Sequence, residues 1–184
     1  SGTDIADLTA AAAYPDAPDI EEVITNGFQS PSNQGGNFGQ RFSGYFVAPQ
    51  TGDYTFYIAS DDSSSLRLST DVSAANAVEI ASVDGYTGST EWSKYATQQS
   101  SPVALQAGEA YYIEALHKEG SGGDHLTVRV VLPDGTDLAP VPVDHLATPV
   151  FTPPNYGPEP TLPEPVGAQA GVAFSPGGSF TDDG

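Results

Sequence analysis

The chain contains no cysteine and no methionine in 184 residues. That excludes disulfide bridges, a thiolate metal site and a thiol nucleophile. Basic residues are nearly as scarce: 5 Lys and Arg stand against 24 Asp and Glu, for a formal net charge of −19. A field of that sign repels phosphate backbones and anionic lipid headgroups, so neither nucleic acid nor direct membrane insertion is expected. No apolar run approaches the roughly 20 residues of a membrane-spanning helix, and no basic-then-apolar leader opens the chain. Helical periodicity is almost missing as well. Ala10 to Ala13 allow one short helical turn, but Pro15 and Pro18 stop it from extending.

What the chain does have is period-two alternation broken by Gly, Pro and Asp. Strands are predicted at Phe42–Val47, Tyr54–Ile58, Ser65–Ser69, Ala77–Val83, Pro102–Leu105, Tyr111–Leu116 and Leu126–Leu132. Pro133-Asp-Gly-Thr136 reads as a turn. Many short strands with such punctuation point to an all-β protein, an antiparallel sandwich or barrel. Residues 1–14 form an irregular N-terminal extension in this reading. Residues 147–184 are a Pro-rich C-terminal extension, either a semi-stiff linker or a tail draped back over the sheet through Phe151, Tyr156 and Leu162. The opening Ser1-Gly2 and the abrupt close at Phe180-Thr-Asp-Asp-Gly184 lead us to expect one module of a longer extracellular polypeptide.

Two acidic loops stand at strand ends. Ser60-Asp-Asp-Ser63 follows the Tyr54 strand, and His117-Lys-Glu-Gly-Ser-Gly-Gly-Asp124 follows the Tyr111 strand. If the fold joins them, several oxygen ligands converge without cysteine and without a histidine cluster. That donor set suits a hard cation, above all Ca²⁺.

The stretches Phe42-Ser-Gly-Tyr-Phe-Val-Ala-Pro-Gln-Thr-Gly-Asp-Tyr-Thr-Phe-Tyr-Ile-Ala-Ser-Asp-Asp62, Glu91-Trp-Ser-Lys-Tyr95 and Gln106 through Leu126 occur in order and resemble the PA14 domain family. The resemblance covers roughly residues 15–146. It implies a PA14-like antiparallel β-sandwich. Among the settings in which such domains occur, the acidity, absent cysteine and Pro-rich tail look most like the modules of very long, RTX-type bacterial surface adhesins.

The lectin-type members of this family hold a sugar through one Ca²⁺, and the resemblance carries their ligands to particular positions. Consecutive aspartates joined by a cis peptide map to Asp61 and Asp62. The second loop maps to a side-chain ligand at Glu119, where flocculins have an amide, and to backbone carbonyls at Ser121 and Gly123. A register slipped by one would instead use Gly120 or Gly122, with Asp124 as a ligand. The resemblance implies a carbohydrate-binding set of Asp61, Asp62, Gly122, Asp124 and His125. The partners it implies are cell-surface or polysaccharide glycans of fucose or glucose type, gripped by a monomeric module.

Plainer readings stand beside these. An Asp-Asp pair at a strand end often only makes a solvated turn. Gly120, Gly122 and Gly123 give either a tight turn or a close backbone approach to the metal. Trp92, the sole tryptophan, reads as scaffold or rim packing, and His117 and His125 as packing or hydrogen-bonding residues. A Ca²⁺-rigidified spacer without sugar binding is the alternative function. A glycosidase acid/base pair is the least favoured reading, because the carboxylates cluster like ligands; no catalytic residue is assigned.

Overall fold

A computed structural model describes residues 2–148, and residues 174–181 as backbone. Its strands, in chain order, are β1 (Ile20–Ile24), β2 (Phe38–Val47), β3 (Gly52–Asp61), β4 (Ser63–Leu68), β5 (Val78–Val83), β6 (Val103–Leu105), β7 (Ala110–Glu119), β8 (His125–Val131), β9 (Asp137–Leu138), β10 (Leu146–Ala147) and β11 (Phe174–Thr181). All pairings are antiparallel. The larger sheet runs β1-β11-β2-β7-β4-β5, with β10 also on β2; the smaller runs β6-β3-β8-β9. This is the all-β sandwich expected from the sequence.

Alternation explains how the sheets close on each other. Phe42 and Phe46 of β2, Tyr54, Phe56 and Ile58 of β3, and Leu126, Val128 and Val130 of β8 all project into one buried cluster. Phe46 sits at its centre, edge-on to Tyr54 at 5.6 Å and to Phe56 at 5.3 Å between ring centroids, an arrangement that the aromatic quadrupole favours. Tyr54 keeps its buried hydroxyl satisfied by donating to the Gln50 carbonyl at 2.7 Å and accepting from the Gln50 N–H at 2.9 Å.

The outer face of the larger sheet is partly covered too. A five-residue helix, α1 (Ile5–Thr9), precedes the predicted Ala10–Ala13 turn rather than coinciding with it. It plants Leu8, 1% exposed, against Leu116 of β7. Gly39 of β2 makes the room, since a Cβ there would overlap the Leu8 side chain. Beside this contact, Glu114 is buried and paired with Arg41 at 2.7 Å and Arg67 at 3.4 Å. Burial and the neighbouring Glu114 charge push the Tyr112 hydroxyl up to about 12.

Of the C-terminal extension, residues 149–173 and 182–184 lie outside the described residues, and with them Phe151, Tyr156 and Leu162. Strand β11 lies between β1 and β2, with Phe180 opposite Gly39 and Gly178 opposite Glu21. No helix among the described residues is long and apolar enough to cross a membrane.

Candidate functional site

Two crossings between the sheets occur side by side at one end of the sandwich. In the first, β3 leaves the smaller sheet at Asp61, opposite His125, and β4 enters the larger one at Ser63, opposite Lys118. Asp62 alone spans the gap. In the second, β7 ends in the larger sheet at Glu119, opposite Phe38, and Gly120–Asp124 carry the chain to His125 in the smaller sheet. The sequence had ended both hydrophobic strands several residues short of these crossings, because Ser60, Lys118 and Glu119 interrupt the apolar alternation.

The crossings bring Asp61, Asp62 and Glu119 together, with one carboxylate oxygen of each within 4.8 Å of the others. The Asp61–Asp62 peptide is cis. Backbone donors fix the side chains: the Asp62 N–H donates to Glu119 Oε2 at 3.1 Å, and the Gly120 N–H donates to Asp62 Oδ2 at 3.0 Å. Beneath the corner, Ser60 Oγ donates to the Asp62 carbonyl at 2.6 Å. His117 Nε2 lies 2.7 Å from the Asp61 carbonyl, and its Nδ1 lies 3.2 Å from Gln40 Oε1. Burial lowers the His117 pKa to about 4, so at neutral pH it is an uncharged strut.

No ion pair among the described residues reaches the three carboxylates; the buried Lys118 Nζ donates instead to the Phe38 and Glu119 carbonyls. Glu119 is fully buried, and its Oε1 has no hydrogen-bond partner among the described residues. Burial, then the charges of Asp62, Asp61 and Asp124, push its carboxyl up to about 7. Burial and the Asp62 charge also raise Asp61. The arginine ion pairs found among the described residues, those of Arg41, Arg67 and Arg129, lie on Glu114 and Asp137 instead. Buried carboxylate oxygens without partners are costly unless a proton or a cation serves them. An all-oxygen donor set of this charge fits a hard divalent cation.

The remaining predicted residues surround this centre. Ser121, Gly122 and Gly123 are exposed on the second crossing. Gly122, at φ +123°, has open space where a Cβ would stand. The Gly120 carbonyl accepts from the Asn37 N–H at 2.7 Å, so one lone pair of this slipped-register candidate is already engaged. Asp124 is 2% exposed, with Oδ2 held by the Gly35 N–H at 3.1 Å and Oδ1 unpartnered. His125 Nε2 is buried and likewise unpartnered among the described residues. Trp92 packs 5.7 Å from the Arg129 guanidinium, which also covers Tyr57 at 4.4 Å.

Sequence reasoning missed a third segment. The loop Pro31–Asn37 lies against the second crossing, with the Asn33 N–H on the Asp124 carbonyl at 3.1 Å. Its composition, Pro-Ser-Asn-Gln-Gly-Gly-Asn, marks a loop but not its location.

Comparison with known proteins agrees with this architecture. The family model described as PA14 domain matches residues 9–144. Mouse N-acetyl-beta-glucosaminyl-glycoprotein 4-beta-N-acetylgalactosaminyltransferase 1 is 38% identical over 128 residues, covering 65% of this chain and 12% of that protein. Mouse fibrocystin is 38% identical over 91 residues, 46% of this chain and 2% of that protein. The chain thus spans only a small part of these relatives. A solved structure of a PA14 sugar-binding domain from an RTX adhesin superposes with a TM-score of 0.52 at 15% identity, covering 75% of this chain and 84% of the other.

Proposed function

The chain belongs to the PA14 domain family, and from that membership we propose that it is a Ca²⁺-dependent carbohydrate-binding module of a cell-surface adhesin. The observation that carries the proposal is the convergence of Asp61, Asp62 and Glu119 within 4.8 Å, with a buried Glu119 oxygen left without a partner. In this reading those three carboxylates and the carbonyls of Ser121 and Gly123 hold the ion. A bound Ca²⁺ would offset two of the three carboxylate charges and would offer its remaining coordination positions to two vicinal hydroxyls of a sugar.

The chain's own groups orient the sugar. Asp61 and Asp62 are half-buried, so their free oxygens accept hydrogen bonds from the hydroxyls. Hydrogen bonds to charged groups contribute roughly 1.5–3 kcal/mol each. The glycines at 122 and 123 keep the approach low, and Asp124 and His125, whose Oδ1 and Nε2 atoms are buried, complete the set from beneath. Apolar contact is sparse, so single-site affinity is expected near millimolar, about −4 kcal/mol, with strength coming from many copies. Fucose and glucose-type sugars are the expected ligands.

The test is a titration of each sugar into ¹⁵N-labelled protein, with Ca²⁺ and then with EDTA. Shifts at Asp61–Ser63 and Glu119–His125 that vanish with EDTA are expected. Ca²⁺-dependent stabilisation without any sugar-induced shift would leave only a metal-rigidified spacer. No effect of EDTA on melting would remove the metal itself.

A further inference from the structure

The Pro31–Asn37 loop is built as a wall of the proposed site. Three of its backbone N–H groups donate to the second crossing: Asn33 to the Asp124 carbonyl at 3.1 Å, Asn37 to the Gly120 carbonyl at 2.7 Å, and Gly35 to Asp124 Oδ2 at 3.1 Å. Asn33 and Asn37 both take the left-handed conformation, at φ 59° and 58°. Asparagine is among the few non-glycine residues that tolerate it. Gly36 packs so closely that a Cβ would stand 2.9 Å from the Gly120 carbonyl oxygen. The loop is thereby clamped to the crossing although its residues are exposed.

What this clamp presents is one side chain. The point where a Gly123 side chain would begin lies 3.8 Å from Asp61 Oδ2 and also 3.8 Å from Asn33 Oδ1. The carboxylate and amide oxygens therefore both border the gap that a Gly123 Cβ would occupy. A carboxylate only accepts hydrogen bonds, whereas an amide both donates and accepts. Anything seated on Asp61 that reaches across the gap meets a donor and an acceptor together.

Resting on the carbohydrate-binding reading above, we propose that Asn33 is a specificity-determining residue whose amide hydrogen-bonds a sugar hydroxyl adjacent to the pair held at the metal. The Asp61–Asp62 corner then selects any vicinal pair of suitable orientation, and Asn33 reads the next ring position. The expected ligand class is a pyranose with three contiguous free hydroxyls.

The experiment compares wild type, Asn33→Ala, Asn33→Asp and Asp62→Ala by Ca²⁺ calorimetry and by NMR titration with a monodeoxy sugar series. Asn33→Ala is expected to leave Ca²⁺ affinity within about twofold and to weaken the parent sugar about fivefold, the loss of one neutral hydrogen bond. It should also abolish the wild-type penalty for one particular deoxy sugar, while the penalties at the metal-held pair persist. Asn33→Asp, which keeps the acceptor and loses the donor, should keep the discrimination only if the hydroxyl donates. In the wild type the Asn33 side-chain NH₂ signals should move on sugar addition. Parent and deoxy affinities identical in Asn33→Ala and wild type would overturn this inference while leaving the Ca²⁺ reading intact. Sugar binding that survives in Asp62→Ala would overturn both.

Discussion

Replacing Glu119 by Gln tests whether the corner is charged against itself when no cation is present. In the ion-free protein its carboxyl titrates near 7 rather than 4.5. Between those values the folded chain holds a proton that the unfolded chain has released, so stability falls as pH rises. At about 1.36 kcal/mol per unit, the fall reaches at most about 3 kcal/mol by pH 7 and levels off about a unit above it. His117 works in the opposite sense. Its folded pKa, near 4, lies below its ordinary 6.5, so it adds stability as pH rises across that interval. Between pH 4.5 and 6.5 the two slopes oppose each other in the wild type, and Glu119→Gln leaves the His117 slope exposed. In EDTA, the stability of the variant minus that of the wild type should grow from pH 4.5 to 7 by up to about 3 kcal/mol. For a domain of this size that is roughly 6–12 °C in Tm. Saturating Ca²⁺ should reverse the order at pH 7, because only the wild type keeps the third carboxylate. Scanning fluorimetry across pH, with and without chelator, reads both effects. A difference between the two proteins that is independent of pH in EDTA would refute the reasoning.

Further substitutions probe the supports of the site. Asp62→Ala should abolish the Ca²⁺-dependent rise in Tm, by the linkage between binding and folding, read by calorimetric scans at several Ca²⁺ concentrations. Gly36→Ala, whose methyl would press on the Gly120 carbonyl, should displace the second crossing and weaken Ca²⁺ at least severalfold; unchanged Ca²⁺ calorimetry would show that the loop yields freely. Leu8→Ala should cost about 2–3 kcal/mol in urea unfolding, the lower part of the range for a buried leucine. A loss under 0.5 kcal/mol would mean that α1 contributes little to the fold.

Much of the sandwich was legible because buried strands impose their alternation on the sequence. Tyr54, Phe56 and Ile58 had to share one face, and they do. The strand ends were not legible. β7 continues through His117, Lys118 and Glu119, all buried, because polar groups that make the crossing contacts replace apolar ones there. Nor did β1 and β11 announce themselves: Glu21 and Glu22 break any apolar run in the first, and Pro176, Gly177 and Gly178 sit within the second. At the site, the resemblance pointed to Asp61, Asp62 and Glu119, which the fold does gather. Asn33 stayed hidden because its relation to Gly123 is made by long-range backbone hydrogen bonds that leave no mark on local spacing.

The two crossings differ in length, and this gives them different freedom under insertion and deletion. Only Asp62 separates β3 from β4. One extra residue there must either bulge, displacing the Asp62 carboxylate, or slip β4 by one. A slip would turn Leu66 and Leu68 outward and disrupt the core. The Gly120–Asp124 crossing is longer and exposed at its middle, so added residues there can loop into solvent without shifting either flanking strand. Of the two crossings, only the second therefore tolerates a change of chain length, and contacts added there would arise on the Glu119 side of the carboxylate cluster.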